Sequence, residues 1–119
     1  MTATPDAVIL VLLSCDWPEL APAEPLRVLA VSSTKRPVQQ LCLPGGKVEP
    51  GDFTRGGLVW GARHAACREL QEETGIVATP AMLRWVWSGV SDGGPFVWAY
   101  RAVPDPRSGA VIKAKRPVA

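Results

Sequence analysis

Arg68-Glu69-Leu70-Gln71-Glu72-Glu73-Thr74-Gly75-Ile76 is the stretch on which the reading of this chain turns. Glu69, Glu72 and Glu73 stand three and four residues apart, so a helix gathers all three carboxylates onto one face. Like charges at that spacing repel, at a cost of a few tenths of a kcal/mol per pair. Gly75 supplies the left-handed stop, which puts Glu72 and Glu73 in the last turn, where the helix dipole favours cations. Stability alone does not select this arrangement. A solvated acidic face is one explanation. Another is a site for hard divalent cations, whose preference for oxygen ligands removes both penalties.

Upstream, Leu43-Pro44-Gly45-Gly46-Lys47-Val48-Glu49-Pro50-Gly51-Asp52 is a run of turn residues with a short extended stretch inside it. Its paired glycines let backbone approach a ligand closely, and Lys47 adds a cation. A glycine-rich loop leading into an acidic helix can hold a metal-bridged polyphosphate between them.

Together the two segments resemble the Nudix box, G-x5-E-x7-R-E-U-x-E-E-x-G-U with U aliphatic. Gly46 takes the place of the first glycine, and Arg68, Glu69, Leu70, Glu72, Glu73, Gly75 and Ile76 match the whole second half. There are two departures. Asp52 stands where the family has glutamate, and fifteen residues, Phe53 to Cys67, separate it from Arg68 where the family has seven. Gly56-Gly57 would break a helix, so the extra eight residues are expected as a loop ahead of a helix from about Leu58 to Thr74. Leu58, Ala62, Ala66 and Leu70 would then form an apolar stripe facing a sheet. The insertion leaves the acidic half intact and bears on the geometry between Gly46 and the carboxylates.

The resemblance implies an α+β fold, an α/β/α sandwich with a mixed sheet and one central helix. It also implies hydrolysis of a nucleoside diphosphate linked to another moiety, with Mg²⁺ or Mn²⁺ as cofactor and a small-molecule nucleotide as partner. Glu69, Glu73, Glu72 and the carbonyl of Gly46 become the expected metal ligands. Glu72 is the expected ligand or water-orienting base, and Arg68 a positioning residue directed to a box glutamate such as Glu72. Subclass markers are missing downstream of Ile76. ADP-ribose pyrophosphatases carry a proline near the position of Asp92, and diadenosine polyphosphate hydrolases a tyrosine near Gly93 or Gly94. By elimination the expected activity is a nucleoside triphosphate pyrophosphatase on canonical or oxidised nucleotides. The alternative is a Nudix-fold sensor that binds a nucleotide without cleaving it.

The rest of the chain bounds these readings. A length of 119 residues suits one domain spanning 1–119, and 47% apolar with 20% charged residues describes an ordinary globule. A net charge of +2 is too small to argue for nucleic acid, although Arg101 to Ala119 holds five cations against Asp105 alone. Cys15, Cys42 and Cys67 lack metal-ligand spacing and read as small core residues of a reducing compartment, which with the absence of a signal or spanning segment makes cytoplasmic the default.

Strands are expected over Ala7–Leu13 (buried on both faces), Leu26–Ser32 and Val38–Leu43, with a proline-rich loop between the first two. A hairpin is expected from residues 81–88 and 95–101 around Ser91-Asp92-Gly93-Gly94, and an edge strand near 110–115. Trp85 and Trp87 are two apart and should share a strand face, as should Phe96, Trp98 and Tyr100; either set could pack against the helix or stack a nucleobase. Trp85, Trp87 and Lys47 are therefore candidate substrate contacts. His64 reads as a surface residue, and Asp92 as a turn residue or an additional acid. Nudix domains usually continue into a helix that covers the second face of the sheet, and none is visible after the hairpin. A minimal fold, a fragment, or a homodimer that covers the face would each account for this.

Overall fold

A computed structural model of the chain describes residues 4–32, 41–54, 56–104 and 113–114. Its strands are β1 (Ala7–Val11), β2 (Val31–Ser32), β3 (Leu41–Cys42), β4 (Gly45–Lys47), β5 (Ile76–Val77), β6 (Leu83–Val90), β7 (Phe96–Ala102) and β8 (Lys113–Ala114). One α-helix is found among the described residues, α1 (Gly57–Thr74), with short 3₁₀ turns at Pro50–Thr54 and Pro80–Met82. The main sheet has the order β4-β1-β7-β6 and is mixed, because β1 runs parallel to β7 and antiparallel to β4. The architecture is α+β, as the acidic helix and the strand pattern imply.

The core lies between α1 and one face of this sheet. Val8 pairs with Trp98 and Leu10 with Tyr100, so these four side chains share a face. Against them pack Ala62, Ala65, Ala66 and Leu70 of α1, all fully buried, with Leu58 partly buried at the same layer. The expected stripe is therefore real, and its alanines let the helix lie close to the strands. Leu70 is its one fully buried large residue, and truncating such a side chain costs about 2–5 kcal/mol. On the second face of β1, Ile9 and Val11 are only half-buried, so β1 is covered fully on one side, where both sides were expected.

The remaining expectations fare unevenly. The hairpin forms, with the amide of Ser91 donating to Pro95 O at 2.9 Å and that of Gly94 to Ser91 O at 3.0 Å. The span 26–32 is not one strand. It meets the end of β1 through an isolated bridge between Leu13 and Val28 and becomes regular only at Val31–Ser32. β4 and β7 already occupy both edges of β1, so this segment can reach only the residues that follow it. Of the strand expected over 38–43, Leu41–Cys42 pairs with β2 while residues 38–40 lie outside the described residues. The cationic stretch beyond Pro104 also lies outside them, apart from β8, which pairs with β5.

Trp17, within the proline-rich connection, is 1% exposed and donates through Nε1 to Ala102 O at 2.8 Å. Beside it, both oxygens of Asp16 accept from Arg101, at 2.7 and 2.8 Å. Together these contacts bind the connection to the end of β7. No helix among the described residues is long and apolar enough to cross a membrane.

Candidate functional site

The site is formed where the C-terminal half of α1 meets β4. Gly75 ends the helix in the left-handed conformation, its amide donating to Gln71 O at 2.8 Å. Thr74 reinforces the exit, its hydroxyl donating to Leu70 O at 2.6 Å and accepting from the amide of Ile76 at 3.1 Å. No basic residue occupies the last turn, so the cation that the helix itself brings to these carboxylates is Arg68, one turn back from Glu72.

What was expected as a glycine loop is an edge strand. Gly45 and Gly46 pair with Ile9 and Val8, and Gly45 lies so close to the Val8 carbonyl that no side chain fits between them. This places glycine backbone directly beneath the acids. Glu73 accepts from the amide of Gly45 at 3.0 Å. The carboxylate of Glu69 stands only 2.5 Å from where a Cβ on Gly46 would be. Glu69 and Glu73, one turn apart, thus both reach β4. Glu72, with 61% of its side chain exposed, projects beside them.

Arg68 closes the other side. It donates to Asp52, and more weakly to Glu69 at 3.5 Å and to Lys47 O at 3.4 Å. Burial works against its charge, but bonding and attraction from Asp52 and then Glu69 outweigh that and hold its pKa above the ordinary arginine value. Its Nε lies 4.0 Å from Glu72. Asp52, rather than Glu72, is therefore the principal partner of Arg68, because the 3₁₀ turn carries Asp52 back onto the helix. The other oxygen of Asp52 accepts from the amide of Glu49 at 2.7 Å, which fixes the carboxylate. Gly61 makes this return possible, since a Cβ there would collide with the Asp52 carbonyl. The insertion is accordingly absorbed by the 3₁₀ turn and by the start of α1 at Gly57, with Gly56 and Gly57 both at positive φ.

Among the described residues, no three His, Cys, Asp or Glu side chains converge as a group that could hold a metal ion. The donor chemistry nevertheless suits a hard divalent cation: two carboxylates face one strand, a third stands adjacent, and every donor atom is oxygen. Lys47 ends β4 with its side chain exposed.

The two tryptophans separate. Trp85 pairs with Tyr100 and faces the helix, whereas Trp87 pairs with Ala99 and faces away. A β-bulge between them breaks the alternation, so the shared face expected from their spacing is not found. Phe96, Trp98 and Tyr100 do share a face and line a cleft with Trp85. Asp92 is exposed at the hairpin tip, and exposed His64 packs edge-on against Trp60, with ring centroids 5.7 Å apart.

The sequence profile of the NUDIX domain matches residues 20–103. The chain belongs to the Nudix family. No curated protein matches its sequence. Among solved structures, a MutT/nudix family protein from Enterococcus faecalis superposes with a TM-score of 0.63 at 25% identity, over 87% of this chain and 38% of its own. The NUDIX domain of Shewanella oneidensis NrtR, solved with ADP ribose, gives 0.61 at 17% identity over 98% and 68%. An Ap4A hydrolase from C. elegans gives 0.50 at 19% identity over 95% and 75%. The last two likenesses bear on the fold alone. The Nudix chain described here spans well under half the length of the Enterococcus protein.

Proposed function

We propose that this chain is a divalent-metal-dependent pyrophosphohydrolase acting on a nucleoside diphosphate linked to another moiety, with nucleoside triphosphates, canonical or oxidised, as its substrates. One observation carries the reading. Despite the eight-residue insertion, Glu69 and Glu73 both meet the Gly45–Gly46 strand while Arg68 is held by Asp52. The two halves of the box are in contact. Glu69, Glu73, Glu72 and the carbonyl of Gly46 would hold Mg²⁺ or Mn²⁺. Bound there, the cation would neutralise phosphate charge and lower the pKa of water.

The chain's own residues supply the rest. Arg68 buttresses Glu69 and fixes its orientation. Exposed Glu72 is free to accept a proton from water, and Lys47 presents a cation to the phosphates. The reduced thiols of Cys15 and Cys67 support a reducing, cytoplasmic setting.

The test is phosphate and pyrophosphate release with Mg²⁺ from nucleoside triphosphates, 8-oxo-dGTP, ADP-ribose and diadenosine tetraphosphate. Glu72→Gln is expected to lose roughly 10²- to 10⁴-fold in turnover, the usual contribution of a positioned base. A folded wild-type protein that binds Mg²⁺ and turns over none of the panel would overturn the hydrolase in favour of a nucleotide sensor.

A further inference from the structure

Strand β6 forms one edge of the main sheet, with β7 as its neighbour. The bonds at its two ends fix which of its backbone groups face outward. The amide of Val103 donates to Met82 O at 2.8 Å, and that of Ser91 to Pro95 O at 2.9 Å. Hydrogen-bonded pairs alternate along an antiparallel ladder, so Arg84 with Arg101, Trp87 with Ala99 and Gly89 with Val97 exchange bonds across β6 and β7. The amides and carbonyls of Leu83, Ser88 and Val90 therefore point away from the sheet. Arginines cover the first of these positions, since Leu83 O accepts from Arg63 at 3.0 Å and from Arg84 at 3.2 Å. The outward groups of Ser88 and Val90 meet no donor or acceptor among the described residues.

Exposed sheet edges are usually blunted by lysine, proline or other charged residues. The stretch Trp85-Val86-Trp87-Ser88-Gly89-Val90-Ser91 contains none of these. Trp85, Val86, Trp87 and Val90 are each between 49% and 70% exposed. The bulge falls between Trp85 and Trp87, so the ladder from Trp87 to Val90 is regular.

This open stretch is its own complement. Ser88 and Val90 stand two apart, so a second copy running antiparallel about a two-fold axis at Gly89 sets Ser88 of each opposite Val90 of the other. Both such pairs then exchange their N–H···O bonds. On the axis the two backbones come closest, at about 4.5 Å, and Gly89 has no side chain to obstruct them. An uncharged strand meets itself without repulsion, whereas a charged peptide finds no opposite charge along it. The exposed side chains and the strand backbone offer on the order of 500 Å² per copy, or about 1,000 Å² in a pair, the low end for a specific interface. We propose that β6 pairs with β6 of a second copy about this axis, joining two four-stranded sheets into one. The acids lie against β4 at the opposite edge, so both sites stay open in the pair.

The test is sedimentation velocity of the full chain from micromolar to millimolar concentration. The mass should rise from 12.7 kDa towards twice that value. Ser88→Pro removes an amide that points away from β7, so it breaks no bond within the molecule, and should weaken association by roughly tenfold or more. Val90→Lys places a charge at a position 70% exposed in the single copy, where folding is not at risk, and should weaken association likewise. Circular dichroism checks the fold of both, and Val90→Lys alone decides if Ser88→Pro unfolds. A mass of 12.7 kDa at every concentration overturns the proposal and leaves the edge to a foreign strand. Growth beyond a pair, or a pair that the folded variants leave intact, overturns it as well.

Discussion

Arg68 donates to Asp52 across sixteen positions of sequence, and this pair closes the Nudix site over an insertion that lies between the two residues. Asp52 is 10% exposed in its side chain and also accepts the amide of Glu49. Its carboxylate therefore both caps the 3₁₀ turn and anchors the guanidinium that steadies Glu69.

Asp52→Ala is expected to destabilise the protein by about 1–2 kcal/mol, combining a lost cap with a partly screened ion pair. Asp52→Asn keeps an acceptor for Glu49 and should lose less. Urea unfolding of both variants, with Arg68→Ala completing a double-mutant cycle, measures the coupling. Additive effects of Asp52→Ala and Arg68→Ala would show that the pair contributes nothing to folding.

Gly45 and Gly46 are adjacent and should respond differently to alanine. At Gly45 the new Cβ meets the backbone of Val8 and Ile9, which cannot move without opening the β1–β4 ladder. At Gly46 it meets only the end of the Glu69 side chain, which can rotate away. Gly45→Ala should cost more than about 1–3 kcal/mol, the usual range for overpacking. Gly46→Ala should change stability by less than about 1 kcal/mol and impair metal-dependent turnover. Thermal unfolding beside the nucleotide assay separates the two, and the idea is lost if Gly46→Ala unfolds the protein or leaves turnover intact.

Those two glycines were legible in the sequence only in part, since a close backbone approach was expected there but in a loop rather than an edge strand. The acids at 69, 72 and 73, the stop at Gly75, the alanine stripe and the glycine hairpin follow from local spacing and backbone freedom, and all are found. What stayed hidden depends on contacts between distant residues. Nothing near Trp17 is periodic, so its place in the core is visible only once the Ala102 carbonyl is beside it. The return of Asp52 to Arg68 requires the turn to fold over Gly61. Arg63 did leave a signal, a cation at helical spacing from Ala66, Cys67 and Leu70, an uncommon place for a charge, but its partners, the carbonyls of Pro80 and Leu83, are distant in sequence.

The bulge between Trp85 and Trp87 gives a sharper test, because simple alternation would assign both rings the same role. Trp87 faces away from the helix and covers Gly89, where a Cβ would collide with its ring. Trp85→Ala and Val59→Ala should be coupled by about 0.5 kcal/mol or more, since both side chains line the cleft. Trp87→Ala and Val59→Ala should add to within about 0.5 kcal/mol, as for residues with no shared partner. Equal coupling in both cycles, read by urea unfolding, would contradict the placement of the two rings on opposite faces.

The cysteines provide a prediction that does not depend on the reaction. Burial pushes the Cys67 thiol up to about 12, with Arg63 opposing more weakly, whereas Cys15 is exposed. Iodoacetamide at pH 8 should therefore label Cys15 well before Cys67 in the native protein, a difference that peptide mass spectrometry resolves. The same shift has a consequence for stability. A folded pKa above the unfolded one means that the native state keeps a proton which the unfolded chain releases. The contribution is complete below the ordinary thiol value of about 9 and is lost as pH rises towards 12. The slope in that window is at most about 1.4 kcal/mol per pH unit for one group. Tyr100, raised by burial in the same way, adds to the decline at the alkaline end. Cys67→Ala should flatten the curve between pH 9 and 12 without abolishing it, because Tyr100 remains. An unchanged slope in that variant would mean that the thiol is as accessible to water as it is in the unfolded chain.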